Sequence, residues 1–415
     1  MSASLKLGTD GHWAVKADSL LAYSDAGGKN KPLPFDFTRA SSATVVDEDG
    51  LVNYAEIYNV PRIDYTGGAG PHILLEPQRT NLFEYSESFN ESEWSRSNVT
   101  VVDNSSQSPD GTNNASLLYP SSSGDYRYIH NSTTNSTSIY TISAFVKASG
   151  KNVVWVYINS SSQIGFIYYD LSDGTTQVVP GSAGTPTATI VSYGNDWYKI
   201  SYTSGNAFVL GSGSGIGVCD AKGDPAVTAN GTDGVLVWGL QLEAGSDATS
   251  YIPTSGTAVT RVVETCSQTG ISNSINSTEG VLFVEMAALS NDSTYRSITI
   301  SDGTSDNRII IRYSNASNIL QALCYISTGL SGLCQYTLTD ETSFSKIAFK
   351  YKLNDFALWI DGTEVSTDSS GAVPVSLNTL EFSSTSAQYL FAKVKQLQVF
   401  KTALTDAELT ALTTL

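Results

Sequence analysis

The chain has 415 residues, only 15% of them charged, and its 23 Lys and Arg against 40 Asp and Glu give a net charge of -17. That balance repels phosphate backbones and anionic lipid headgroups, which argues against nucleic acid as a partner. No apolar run approaches the ~20 residues that span a bilayer, so no membrane insertion is expected. The first sixteen residues, MSASLKLGTDGHWAVK, lack the apolar stretch of a signal peptide, so synthesis without export is expected.

At ~100 to 200 residues per domain the length suggests two or three domains. The abundance of Ser, Thr, Asn, Gly and Tyr suits sheets with uncharged polar outer faces and many turns, which makes all-β the expected class. Cys219, Cys266, Cys324 and Cys334 are too few and too scattered for a disulfide scaffold, and no Cys/His metal spacing occurs. Free thiols are the expectation; a hairpin about Gly329 would bring Cys324 and Cys334 near each other, and that pair is the one candidate disulfide.

In chain order, residues 1 to about 36 hold few periodic apolar positions, with Leu20, Leu21 and Tyr23 followed by the loop-like run DAGGKNKPLP. They read as a lead that packs on a neighbour, either a docking arm or an N-terminal strand. Residues 43–46 and 51–54 flank Asp47, Glu48, Asp49 and Gly50, and an Asp-Gly pair between β-prone runs signals a hairpin. Arg39, Arg62, Glu76 and Arg79 lie among large apolar residues, where a charge must be paired or surface-bound, so partly buried ion pairs are expected.

From residue 81 to 261 short strands alternate with turns, at 140–147, 153–158, 166–171, 197–203 and 235–242, and no segment sustains a 3.6-residue apolar period. This pattern predicts a jelly-roll sandwich. Alternation places Val154, Val156 and Ile158 on the core face and Trp155 and Tyr157 on the other. Tyr126, Tyr128 and His130 share one face, as do Phe166 and Tyr168. With Tyr126, Tyr128, Trp155, Tyr157, Phe166 and Tyr168, the chain has the flat rings that suit the C–H faces of sugars. The competing reading is that these aromatics fill a sandwich core.

Residues 262–279 are polar with few large apolar side chains and read as a linker. A further unit spans 280–415, with alternating strands around Asn354 and Asp361-Gly362 and a closing helix. Thr405 and Glu408 have capping-box spacing ahead of Leu409 and Leu412.

Several runs carry a family resemblance. FTRASSATVVDEDGLV, NVPRIDY and ILLEPQRTNLFEYSESF within residues 37–89 resemble a segment near the start of many tailed-bacteriophage virion proteins, and LVWGLQLEAGSDATSYIPTSGTAVTR at 236–261 extends the likeness more loosely. ISAFVKASG and NDWYKISYTSG resemble carbohydrate-binding-module sandwiches, while FALWIDGTEV and VKQLQVFKTALTDAEL resemble concanavalin A-like, laminin-G-like domains. The resemblance implies an N-terminal attachment region at 1–80, a jelly roll at 81–261 and a second sandwich at 280–415. It also implies a virion protein of tail-fibre, head-fibre or decoration type, with other virion proteins as partners; host-surface polysaccharide is the partner expected from the aromatic faces. Phe37, Arg39, Arg62 and Arg79 are the candidates for virion attachment. Homo-oligomers, often trimers, are common in such proteins.

Catalytic signals are lacking. His12, His72 and His130 are scattered, no nucleophile or zinc motif appears, and the acidic strand motif of concanavalin A-like hydrolases is absent. The expected protein is therefore non-enzymatic and binds glycans. A purely structural cementing role and a depolymerase with carboxylates distant in sequence are the alternatives. No cofactor is expected; residues 302–306 and 220–224 carry oxygen ligands suited to structural calcium, and turn chemistry explains them equally well.

Overall fold

The computed structural model describes residues 2–16, 18–25, 31–55, 58–68, 70–160, 163–179, 184–211, 213–384 and 388–414. The described residues are all-β apart from three 3-10 turns and one α-helix, and form two antiparallel sandwiches.

The first sandwich has two six-stranded sheets. One runs Trp94–Ser97, Arg127–Asn131, Ser214–Cys219, Val153–Ser160, Gln163–Asp170, Thr175–Val179. The other runs Val99–Ser106, Ala115–Pro120, Gly234–Ala244, Tyr140–Ser149, Trp197–Thr203, Thr187–Ser192. Val154, Val156 and Ile158 meet Ile142, Val146 and Leu242 in the core between them, as alternation requires.

The second sandwich is assembled from residues on both sides of the first. Glu279–Ala288 pairs with Ser345–Lys352 on one side and Ala392–Phe400 on the other. Leu5–Leu7 adds to Ala392–Phe400, then Ser19–Ser24, Lys31–Thr38, Thr265–Gln268, Thr379–Glu381 and Arg296–Ser301 follow. Arg308–Tyr313, Ile319–Ile326 and Gly329–Thr337 complete this side. On the other side Ser345–Lys352 pairs with Phe356–Ile360 and that strand with Thr363–Asp368, which meets Gly329–Thr337 through side chains: the Leu333 and Gln335 N–H groups donate to the Asp368 carboxylate and the Ser366 hydroxyl. His72–Leu75 also pairs with Ala392–Phe400. Asp406–Thr413 carries the expected capping box, and its Leu409 seats on Val281, Phe283 and Trp359.

Two sequence expectations meet a different arrangement, and the candidate disulfide is not formed. Strand pairing crosses the boundary placed at residue 80, because Leu5, Leu7, Leu20, Ala22, Phe35 and Phe37 bury their side chains in the second sandwich's core. The stretch read as a linker at 262–279 is built into the same core: Cys266, Ile271 and Ile275 are buried there, so few apolar residues suffice when each one is placed inward. Cys324 and Cys334 are free, buried thiols. Their strands pair with Cys324 opposite Gly332 and Cys334 opposite Ala322, and burial raises the two thiols to about 12 and about 11. Of the loop-like run DAGGKNKPLP, residues 26–30 lie outside the described residues.

The two sandwiches are joined where the chain leaves the second at Glu76 and returns at Glu264. The hairpin of Ala43–Val46 and Val52–Ala55 lies against the first sandwich, with Val52 packed on Trp197, Trp238 and Tyr251. At the junction Arg62 binds Glu264 through two nitrogens at 2.8 and 2.5 Å and Glu76 at 2.8 Å. Arg39 reaches Glu264 at 2.8 Å, and Arg261 reaches Glu76 at 3.0 Å. All five side chains are buried. Ser250 supplies a backbone and a hydroxyl hydrogen bond to Glu76. Burial alone would raise the Glu76 carboxyl, but Arg261, Arg62 and Ser250 outweigh it and hold the group well below its ordinary value of 4.5. A depressed folded-state value means stability that is present above the ordinary carboxylate range and is lost as pH falls toward the folded one.

Glu264→Gln should strand Arg39 and part of Arg62 without a counter-charge and cost about 3–5 kcal/mol. Urea unfolding at pH 7 measures this, and an unmoved midpoint would mean that the cluster does not hold the junction. For Glu76→Gln the deficit should shrink as pH is lowered below about 4, where the wild-type carboxyl loses its advantage.

Candidate functional site

The outward face of the sheet containing Val153–Ser160 carries two rows of side chains fixed by register. One row reads Ser97, Tyr128, Gly217, Trp155, Tyr168, Gln177. The other reads Ser95, His130, Gly215, Tyr157, Phe166, Val179. All six aromatics singled out from the sequence meet here. Tyr128 lies 5.3 Å from Trp155 and 5.6 Å from Tyr157, centroid to centroid. Phe166 is 5.5 Å from Trp155, and Tyr126 reaches across to Trp155 at 6.0 Å and Phe166 at 6.1 Å.

The cluster is layered. Trp155, Tyr157 and Tyr168 are buried, at 1%, 8% and 4% exposure, whereas Tyr126 is 47% exposed and Tyr128 and Phe166 are half-buried. The lower rings are thus a platform and the upper ones the contact surface. Aromatic area reaches solvent on this face, but only half of the six rings supply it; the other three are buried beneath them on the outer face and not in the core between the sheets.

What seats the Trp155 ring is a glycine that sequence reasoning missed, and a second glycine brings the neighbouring strand close. A Cβ on Gly217 would lie 2.3 Å from the Trp155 indole, and one on Gly215 would lie 2.0 Å from the Ile129 carbonyl oxygen. Bare backbone at Gly217 lets the Trp155 indole lie across this strand, and at Gly215 it lets the strand Arg127–Asn131 approach. The alternation Gly213, Gly215, Gly217 in GSGSGIGV was the available signal, since glycine at every second strand position leaves one face empty.

Tyr126 has φ 56, the left-handed region that bulky side chains avoid. Holding it there costs about 1–3 kcal/mol, and it places the ring over Trp155 instead of along the strand. Polar groups on this face await partners. The Trp155 Nε1–H and His130 Nδ1 are buried with no hydrogen bond among the described residues. Burial lowers the His130 pKa, so the ring is neutral at pH 7. Exposed Ser95 and Gln177 stand at opposite ends of the rows. Flat rings framed by neutral donors and acceptors can stack on a sugar and bond its hydroxyls.

The residues expected to attach the chain to other virion proteins lie elsewhere. Phe37 is in the second sandwich's core, Arg39 and Arg62 are in the buried junction, and only Arg79, paired with Asp247 at 3.1 Å, keeps partial exposure. Buried side chains offer a partner no surface, so the first three act inside the molecule. The loop carboxylates considered for calcium are engaged in turns: Asp302 accepts from Thr304 and Asn307, and Asp220 from Lys151 and Thr228. Among the described residues no group of three or more His, Cys, Asp or Glu could hold a metal ion.

No protein-family model matches the sequence, and no curated protein matches it. Among solved structures the chain aligns with Trypanosoma rangeli sialidase in complex with the inhibitor DANA at 10% identity, covering 95% of this chain and 77% of that one, with a TM-score of 0.29. Mouse laminin alpha1 domains LG4-5 align at 10% identity over 77% of this chain and 91% of that one, TM-score 0.22. Sheep galectin-11 in complex with glycerol aligns at 9% identity over 32% and 91%, TM-score 0.21. At scores this low the fold class rests on the strand pairing itself.

Gly217→Ala should push the Trp155 indole off its seat and destabilise the first sandwich by about 1–3 kcal/mol. Thermal unfolding with tryptophan fluorescence reads both effects, and an unchanged emission maximum and melting temperature would show that Trp155 is not held by that glycine.

Proposed function

We propose that this chain is a non-enzymatic surface protein of a tailed-phage virion that attaches to host polysaccharide through the aromatic face of its first sandwich. The observation that carries the glycan reading is the layered cluster itself: Tyr126, Tyr128 and Phe166 are presented to solvent on a platform of Trp155, Tyr157 and Tyr168. A monomeric sandwich has no stability reason to hold a tyrosine in a strained backbone conformation with nearly half of its surface in water. The virion reading is supported by the sequence resemblance at residues 37–89, and the net charge of -17 suits a protein displayed in many copies. Each site is expected to be weak. Repetition over an oligomer and a particle raises avidity ~10²- to 10⁴-fold without any new contact.

The test is binding of the purified protein, in its native oligomer, to an array of host polysaccharides, with released reducing ends measured in parallel. Saturable binding without product is expected. Tyr126→Ala and Tyr128→Ala should each weaken it about tenfold with little change in melting temperature, since stacked rings contribute ~1 kcal/mol or more apiece. Trp155→Ala should instead cost about 3–5 kcal/mol of stability. Absence of binding would favour a cementing role, and released product would make the protein a depolymerase.

A further inference from the structure

A second cleft lies on the opposite sandwich, on the outward face of the sheet formed by Arg296–Ser301, Arg308–Tyr313 and Thr379–Glu381. Ile309, Ile311 and Tyr313 point into the core, so Arg308, Ile310 and Arg312 point out. By the same register Leu380 and Phe382 point in and Glu381 points out. The hairpin of Ser383–Ser384 and Gln388–Tyr389 folds over Arg296–Ser301, and the turn at 302–305 rises on the other side. Between them is a cleft of about 410 Å³ whose functional groups are Arg308, Glu381, Tyr389, Thr265 and Ser383. That volume falls within the range of small-molecule sites, about 300–1,000 Å³.

Arg308 is the unusual member. Its guanidinium is 4.5 Å from the Tyr325 ring centroid, which fixes the plane of the fork, and it makes one long hydrogen bond, 3.3 Å from Nη1 to the Ser384 hydroxyl. Its Nε–H is buried with no acceptor, and among the described residues its side-chain contacts are the Ser384 hydroxyl and the Tyr325 ring, with no ion pair. Glu381 shares the cleft and feels the charge of Arg308, but the two make no ion pair or hydrogen bond, so the hydrogen-bonding edge of the oriented guanidinium is left open for an anion. A planar fork fits a carboxylate through two parallel N–H bonds. Glu381, held by the Ser383 hydroxyl at 3.1 Å, is an acceptor for sugar hydroxyls, and Tyr389 offers a ring to stack on.

We propose that this cleft is a second, independent carbohydrate site, specific for a sugar bearing a carboxylate, with Arg308 holding the carboxylate, Glu381 accepting from a hydroxyl and Tyr389 stacking on the ring. The first sandwich's face is uncharged and would take a neutral sugar, so the two sites together would read different units of one acidic polysaccharide.

The full chain is titrated with D-galacturonate and, separately, D-galactose, and the Nε–Hε resonance of Arg308 is followed by NMR, assigned by its loss in Arg308→Lys. Galacturonate should shift it saturably and galactose should not. In Arg308→Lys, which keeps the charge but not the fork, galacturonate affinity should fall about tenfold. Tyr389→Ala should weaken it severalfold and guards against misfolding of the first variant. Tyr128→Ala should leave galacturonate affinity unchanged while reducing binding at the first site. An unmoved Arg308 resonance, wild-type affinity in both cleft variants, or loss of galacturonate binding in Tyr128→Ala would each overturn the second site without touching the first.

Discussion

Five buried charges hold the molecule together. Arg39, Arg62 and Arg261 meet Glu76 and Glu264 where the chain crosses between sandwiches, and every one of them would be ruinous alone in so dry a place. Their value lies in mutual satisfaction. Arg62 is chelated by Glu264 and also donates to Glu76, the Thr44 carbonyl and Ser250, so nearly every donor of its fork is taken. A network of this kind contributes less net stability than a well-packed apolar plug, but it tolerates one arrangement of partners. Here that arrangement fixes residues 39, 62, 76, 250, 261 and 264, and with them the hairpin, both crossings and the last turn before the second sandwich.

Fixing the crossings leaves the far sheet of the first sandwich free to carry a surface. Its sister sheet is covered by the hairpin at Val52, whereas the face with Tyr126 and Tyr128 is not. The same division appears in the second sandwich, where the helix Asp406–Thr413 covers one outer face and the cleft at Arg308 opens on the other. Each sandwich thus has one face committed to internal packing and one that is polar or aromatic and open.

Local features were legible in the sequence because local chemistry determines them. The Asp-Gly hairpin, the Thr405 capping box and the strands 140–147, 153–158 and 197–203 all follow from turn residues and alternation within a few positions. The pairing of Arg39, Arg62 and Glu76 was legible too, since charges among apolar residues must find counter-charges, but Glu264 and Arg261 could not be named as partners. They lie some two hundred residues away in sequence. The same distance hid the fate of residues 5–38: four strands with modest apolar content look detached until Phe35 and Phe37 are seen to complete a core made largely by residues 265–400. In the aromatic face, alternation found which rings share a side, while the depth of Trp155 depended on the empty position at Gly217 on a strand some sixty residues further along.

The pairing of Leu5–Leu7 with residues 397–399 has a temporal side. At about 5–20 residues per second, roughly 20 to 75 s of synthesis separate the appearance of Ser19–Ser24 from that of the strand that Leu5–Leu7 needs. Throughout that interval the first sandwich can be made and folded, because all twelve strands of its two sheets lie within residues 94–244. The strands at 5–38 must wait beside it with open edges, a state that invites pairing with the wrong chain. Lys31, Pro32 and Pro34 in the strand Lys31–Thr38 are residues that discourage such pairing, and they lie along the part of that strand that Thr265–Gln268, which pairs only with residues 36–38, leaves uncovered.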